Sequence, residues 1–247
     1  MKLILLRHGE SQWNLENRFT GWKDVPLTQS GIIEAQYAAE KLNEMEIEFN
    51  SIYTSFLLRA THTAEIVAKS LKFDRNEIIK DWRLNERHYG ALQGLNKSET
   101  ASKYGEKQVH IWRRSFDTPP PILSTDDSRY QEIENVYKKL NISNTIKGES
   151  LKNVIDRLNP FWQKYYSDII QIRGNHIIVA HSNSLRAIIK ILDNLSDKEI
   201  MSVNIPTGIP LVYNFNQENK IIKKKYLIDE RELIKKQKII ENKSKKK

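Results

Sequence analysis

The chain of 247 residues contains no cysteine. Disulfides and thiol nucleophiles are therefore excluded, and a cytoplasmic home is expected. No apolar run approaches the roughly 20 residues needed to span a bilayer, so no membrane partner is expected. The apolar start is too short for a secretory leader before Arg7 interrupts it. None of the six histidines stands in a metal-ligand spacing such as H-E-x-x-H, and no metal is expected. There is no internal repeat. No nucleic-acid-binding motif or array of stacking aromatics accompanies the basic charge.

What is present is enough for one large α/β domain. Hydrophobic residues make up 39% of the chain, which suits a globular core. The net charge of +9 is unevenly placed: residues 220–247 carry +8 and the remainder only +1. Such a tail is either solvated or attracts anions to a nearby cleft. Its last residues, 243–247, are low in complexity and are expected to be disordered.

Short apolar runs predict strands at 2–6, 51–54, 78–82, 176–180 and 211–215, with a weaker one at 221–227. Helical spacing of apolar residues falls between them, at 35–45, 56–71, 151–169 and 185–192. This alternation predicts a three-layer α/β sandwich whose central, mostly parallel sheet is flanked by helices. The segment 115–148, with its Pro119-Pro120-Pro121 run, breaks the rhythm and reads as an excursion over the surface, a lid or a subunit contact.

Polar residues cluster where the strands end, the usual place for ligands in open α/β sheets. The first run stops at Arg7-His8-Gly9. A histidine there can attack phosphorus, an arginine can neutralise the oxygens, and a glycine lets the backbone come close. Alone, the triplet fits an ordinary packing histidine better than a catalytic one. The run at 176–180 repeats the design, ending at His181 before Ser182, Asn183 and Ser184, any of which can cap a helix. Two strands could thus aim two histidines at one crevice. Arg59 lies about one turn into the helix after the second strand, placed either to hold a phosphate or to face water. Glu86 follows the third strand and suits a general acid and base, provided burial or a neighbouring anion raises its pKa. Lys97, Arg113 and Arg114 would grip an anion only if the fold gathers them.

Together these pieces resemble the cofactor-dependent phosphoglycerate mutases of the histidine phosphatase superfamily. The matching blocks are LLRHGESQWN, NRFTGWKDVPL, YTSFLLRA, WRLNERHYGALQGLNKSETASKYG, IWRRSFDTPPP, SLRAIIKILDNLS and NIPTGIPLVY, spanning residues 3 to about 215 in order. The match is loose after Leu211 and poor over 122–150. The resemblance implies a mutase-like catalytic domain over 1–230 followed by a basic tail, 231–247, that is partly disordered and folds over the site. It implies that His8 is the nucleophile, that Arg7, Arg59 and His181 clamp the transferring phosphoryl group, and that Glu86 exchanges a proton with the substrate hydroxyl. It places Ser11, Asn14, Thr20, Gly21, Tyr89, Lys97, Arg113, Arg114, Ser182 and Asn183 around a phosphoglycerate, with 2,3-bisphosphoglycerate as phosphoryl primer. It also implies a homodimer or homotetramer.

Two departures stand out. The family has glycine where this chain has Ser182, and threonine where it has Gly148. A positive φ at Ser182 would cost on the order of 1–2 kcal/mol. Three rivals were weighed: a phosphatase of the same superfamily, a nucleic-acid binder using the lysine-rich tail, and a catalytically dead scaffold. The complete substrate block argues against the first, the near-neutral body against the second, and the intact catalytic set against the third.

Overall fold

A computed structural model describes residues 1–130, 137–138 and 146–242, without side-chain detail for 167–172. Four strands run parallel: β1 (Lys2–Arg7), β2 (Ser51–Thr54), β3 (Ile79–Lys80) and β4 (Asn175–Ala180). Two more, β5 (Leu211–Phe215) and β6 (Ile221–Tyr226), are antiparallel to their neighbours. The sheet order is β3-β2-β4-β1-β5-β6. The mixed, mostly parallel sheet is the expected one.

The central strands read as continuous apolar runs because both faces are covered. On one face Leu3, Leu5, Ile178 and Tyr213 pack under α6 (Leu151–Ile172) and α7 (Ser182–Leu192), against Leu158, Phe161, Leu185 and Ile188. On the other, Ile4, Leu6, Ile52, Ile177 and Val179 meet Ala38, Leu42, Ala64 and Val67 of α2 (Gln29–Asn43) and α3 (Leu58–Ser70). The result is three layers.

Register fixes where the strands stop. Arg7 pairs with Ala180, and Thr54 with Val179. His8, Ser55 and His181 therefore emerge side by side at one sheet edge. The third strand is shorter than its apolar run, because Asp81 accepts the Arg83 N–H (2.8 Å) and turns the chain into a 3-10 helix over Trp82–Leu84. Glu86 lies beyond that turn.

Two helices were not legible in the sequence: α4 (Lys97–Tyr104) and α5 (Glu106–Arg114). Polar and charged residues dominate both, and they pack on Phe19 and Leu92 through Ala101 and Val109. The excursion after Ser115 is partly interior. The Pro121 carbonyl accepts the Ala91 N–H (2.8 Å), and Tyr137 is buried against Trp22; 131–136 and 139–145 lie outside the described residues. The basic tail begins as a helix, α9 (Glu230–Asn242). The expected disorder of 243–247 also falls outside the described residues. Between these elements stand two single-turn helices, Gln12–Leu15 (α1) and Glu199–Ser202 (α8).

Candidate active site

His8 is 2% exposed, and its Nδ1 lies 2.7 Å from the Gly9 carbonyl. A carbonyl can only accept, so Nδ1 carries the proton and Nε2 keeps a lone pair. Burial, with Arg59 and Arg7 close by, holds this imidazole well below its ordinary range and therefore neutral. The His181 ring is 4.9 Å away, and its Nε2 sits 2.7 Å from Ser55 Oγ. Burial, then Arg59 and His8, lowers His181 likewise. Two neutral imidazoles thus share one pocket.

The arginines are braced by backbone carbonyls rather than carboxylates. Arg7 Nη1 donates to Ile205 O (2.8 Å), and its buried Nε has no partner among the described residues. Arg59 donates to Gly21 O (2.8 Å) and Lys23 O (3.1 Å), and burial pushes it down to about 10. Among the described residues no carboxylate is in contact with either, so their charge faces the cleft.

Glu86 faces them from another loop. Its Oε1 accepts the Arg87 N–H (2.8 Å), the Asn183 N–H (3.0 Å) and Asn183 Nδ2 (3.0 Å). That leaves Oε2 clear of donors among the described residues. Asn183 sits in the first turn of α7, where free N–H groups favour a carboxylate. The loop carrying Glu86 is held from behind. Glu149 accepts the His88 N–H (2.8 Å) and pairs with Arg157 (2.7 Å), which also bonds the Asn85 and Glu86 carbonyls.

A cleft of about 250 Å³ joins these groups. Its walls include Arg7, His8, Asn14, Thr20, Arg59, Glu86, Tyr89, Lys97, Arg113, Arg114, Ser182 and Asn183. Arg113 is pushed down to about 10 by burial and by Arg114 beside it. Arg114 donates to Asn204 Oδ1 (2.6 Å). Eight of the lining residues are basic and three acidic, so the cleft is built for a compact polyanion.

Three expected residues do not line the cleft. His181 is sealed beneath it, next to His8. Ser11 is fully buried before α1, where its N–H donates to Asn14 Oδ1 (3.2 Å). Gly21, at φ +55°, offers its carbonyl to Arg59, and a side chain there would meet Gln93 Oε1 at 2.8 Å. Gly9 serves packing rather than a ligand: a Cβ there would lie 2.1 Å from the Gly31 carbonyl.

Other lining residues went unread in the sequence. Arg186 stands one turn after Asn183 on the same helix face, a spacing that could have flagged it. Lys236, Ile239 and Ile240 reach the cleft from α9, and Lys236 lies 3.7 Å from Glu34. Ser182 is helical, without a positive φ, so it carries none of the strain that its replacement of glycine suggested. Gly148 also avoids positive φ, and a Cβ there would make ordinary contacts.

Paired histidines and arginines over the strand ends of an α/β sheet define a class of enzymes that act on phosphate esters. The sequence profile of the histidine phosphatase superfamily (branch 1) matches residues 3–226, and the chain belongs to that superfamily. It is 47% identical, over all 247 residues and the whole of the relative, to a 2,3-bisphosphoglycerate-dependent phosphoglycerate mutase of Treponema denticola. Its fold is also that of a mycobacterial glucosyl-3-phosphoglycerate phosphatase (TM-score 0.69, 20% identity, 92% of this chain and 98% of that one). The alpha-ribazole phosphatase of Shigella flexneri shares it too (TM-score 0.65, 21% identity, 90% and 95%).

Proposed function

We infer that this protein is a 2,3-bisphosphoglycerate-dependent phosphoglycerate mutase. It is then an isomerase interconverting 3-phosphoglycerate and 2-phosphoglycerate through a phosphohistidine at position 8. The full-length identity supports the assignment. The observation that carries it is that His8 and Glu86 face one cleft lined by eight cationic side chains. A phosphatase needs cations for one phosphate, whereas Lys97, Arg113 and Arg114 add a second cationic wall.

The cleft fits 2,3-bisphosphoglycerate, since the buried Arg7 Nε has no protein acceptor among the described residues and Arg113 and Arg114 stand together in its wall. When bound, it supplies the phosphoryl group that primes the enzyme. His8 Nε2 would use its lone pair to form the P–N bond as the ester P–O bond breaks and the departing oxygen takes a proton from Glu86, while Gly9 O keeps the Nδ1 proton in place. Arg7 and Arg59 hold the phosphoryl oxygens through the transfer, while His181 packs beneath against the His8 ring. In the reverse direction Glu86 takes the proton of the substrate hydroxyl as its oxygen attacks phosphorus and the P–N bond breaks. Nε2 then recovers its lone pair. Positioning and charge neutralisation supply the catalysis.

The enzyme acts in the cytoplasm, within glycolysis and gluconeogenesis, as a homodimer or homotetramer. No nucleic acid or membrane partner is part of this reading. The cysteine-free chain suits that compartment, and among the described residues no helix is long and apolar enough to cross a membrane. Incubation with radiolabelled 2,3-bisphosphoglycerate tests the intermediate. Acid-labile, alkali-stable label on the wild type and none on His8→Gln is the expected result; equal labelling of both would overturn it.

A further inference from the structure

Arg186 is 1% exposed and forms no ion pair with any described carboxylate. Its nearest cationic neighbours, Arg114 and Arg87, repel it. A buried cation placed this way costs stability, so its retention calls for a purpose. Its bonds are specific. Nη2 donates to the Ile200 carbonyl (2.7 Å), which anchors the guanidinium to α8. Nη1 donates to Asn183 Oδ1 (2.9 Å). Nε is sealed from solvent, with no partner among the described residues.

The bond to Asn183 decides which way that amide points. A carboxamide has one accepting and one donating end. With Oδ1 held by Arg186, Nδ2 must face Glu86 Oε1 (3.0 Å) and Tyr89 Oη (3.2 Å). Flipped, Oδ1 would oppose the Glu86 carboxylate. We propose that Arg186 is a positioning residue that fixes the Glu86 carboxylate through the side-chain amide of Asn183. The proposal rests on the mutase reading for the meaning of Glu86, but the geometry it invokes does not. The charged groups facing Glu86 are Arg7 from β1, Arg59 from α3 and Arg186 from α7. Arg157 of α6 bonds its backbone carbonyl (3.3 Å). Arg186 is the one among them joined to Glu86 by a side-chain relay.

Arg186→Met and Arg186→Lys test this. Methionine keeps much of the volume and removes the charge, and lysine keeps the charge but not the planar two-point grip. In Arg186→Met we expect kcat to fall about 10–100-fold, KM to stay within about threefold, and Tm not to fall, because an apolar side chain replaces an unpaired buried cation. Arg186→Lys should recover part of kcat. At pH 7 the Glu86 carboxyl ¹³C signal, in protein carrying ¹³C-labelled glutamate, should shift in Arg186→Met relative to wild type and return part of the way in Arg186→Lys. That readout stands whether or not the wild type isomerises phosphoglycerate, so failure of the functional reading is seen separately, in the wild-type assay. An unmoved Glu86 carboxyl signal would overturn the proposal, as would kcat and Tm falling together with no recovery in Arg186→Lys.

Discussion

Glu86 carries the proton in this account, and three N–H donors converge on one of its oxygens. Glu86→Gln keeps the shape but cannot shuttle a proton. Its kcat should fall by about 10²–10⁴-fold, the usual worth of general acid–base catalysis, with KM little changed in steady-state assays; a loss under threefold would contradict the role. Ser182 makes the opposite prediction. Its backbone is already helical, so Ser182→Gly relieves nothing, and activity should stay within about threefold. A tenfold gain would show that the serine is a burden. At this scale His8 and His181 stood out because each directly follows a recognisable strand, Arg59 because it opens the helix after one, and Glu86 because it lies a short turn past a third. Arg186 did not, because its meaning depends on an amide that reaches Glu86 across 97 positions of sequence. Gly21 was placed in the substrate pocket, but its contribution is a carbonyl for Arg59, and a carbonyl leaves no mark on residue type.

Among the elements, the runs at β1 and β4 were readable because a strand buried on both faces needs no polar alternation. Helices α4 and α5 escaped notice because Ala101 and Val109 are the only apolar residues buried in them. Their caps were visible in principle: Asn96 accepts the Ser98 and Glu99 N–H groups (2.9 and 3.3 Å). Glu149 ties the loop after β3 to α6. With both side chains about 5% exposed, the Glu149–Arg157 pair is a buried ion pair. Removing one partner strands the other charge, so Glu149→Ala should cost about 3–5 kcal/mol. Urea unfolding would measure that cost; a loss below about 1 kcal/mol would mean that the loop carrying Glu86 is held by something else.

The whole molecule stores a pH dependence in its buried histidines. Gly90 N–H donates to His88 Nδ1 (3.0 Å), so that nitrogen cannot take a proton without losing the bond. Burial pushes His88 down to about 4, and His176 likewise. The unfolded chain binds these protons near pH 6.5. Stability is therefore fully present above pH 6.5 and is lost as pH falls toward 4, by roughly 3 kcal/mol for His88 alone. Melting followed from pH 7 to 4 should show this fall, and His88→Gln should flatten part of it. A slope unchanged by that substitution would contradict the assignment.

The central claim is that one cleft isomerises phosphoglycerate through His8. Its most direct measurement is conversion of 3-phosphoglycerate to 2-phosphoglycerate, with and without added 2,3-bisphosphoglycerate, in the presence of a metal chelator. The account predicts conversion that depends on the bisphosphate and ignores the chelator. Release of inorganic phosphate without isomerisation would contradict it.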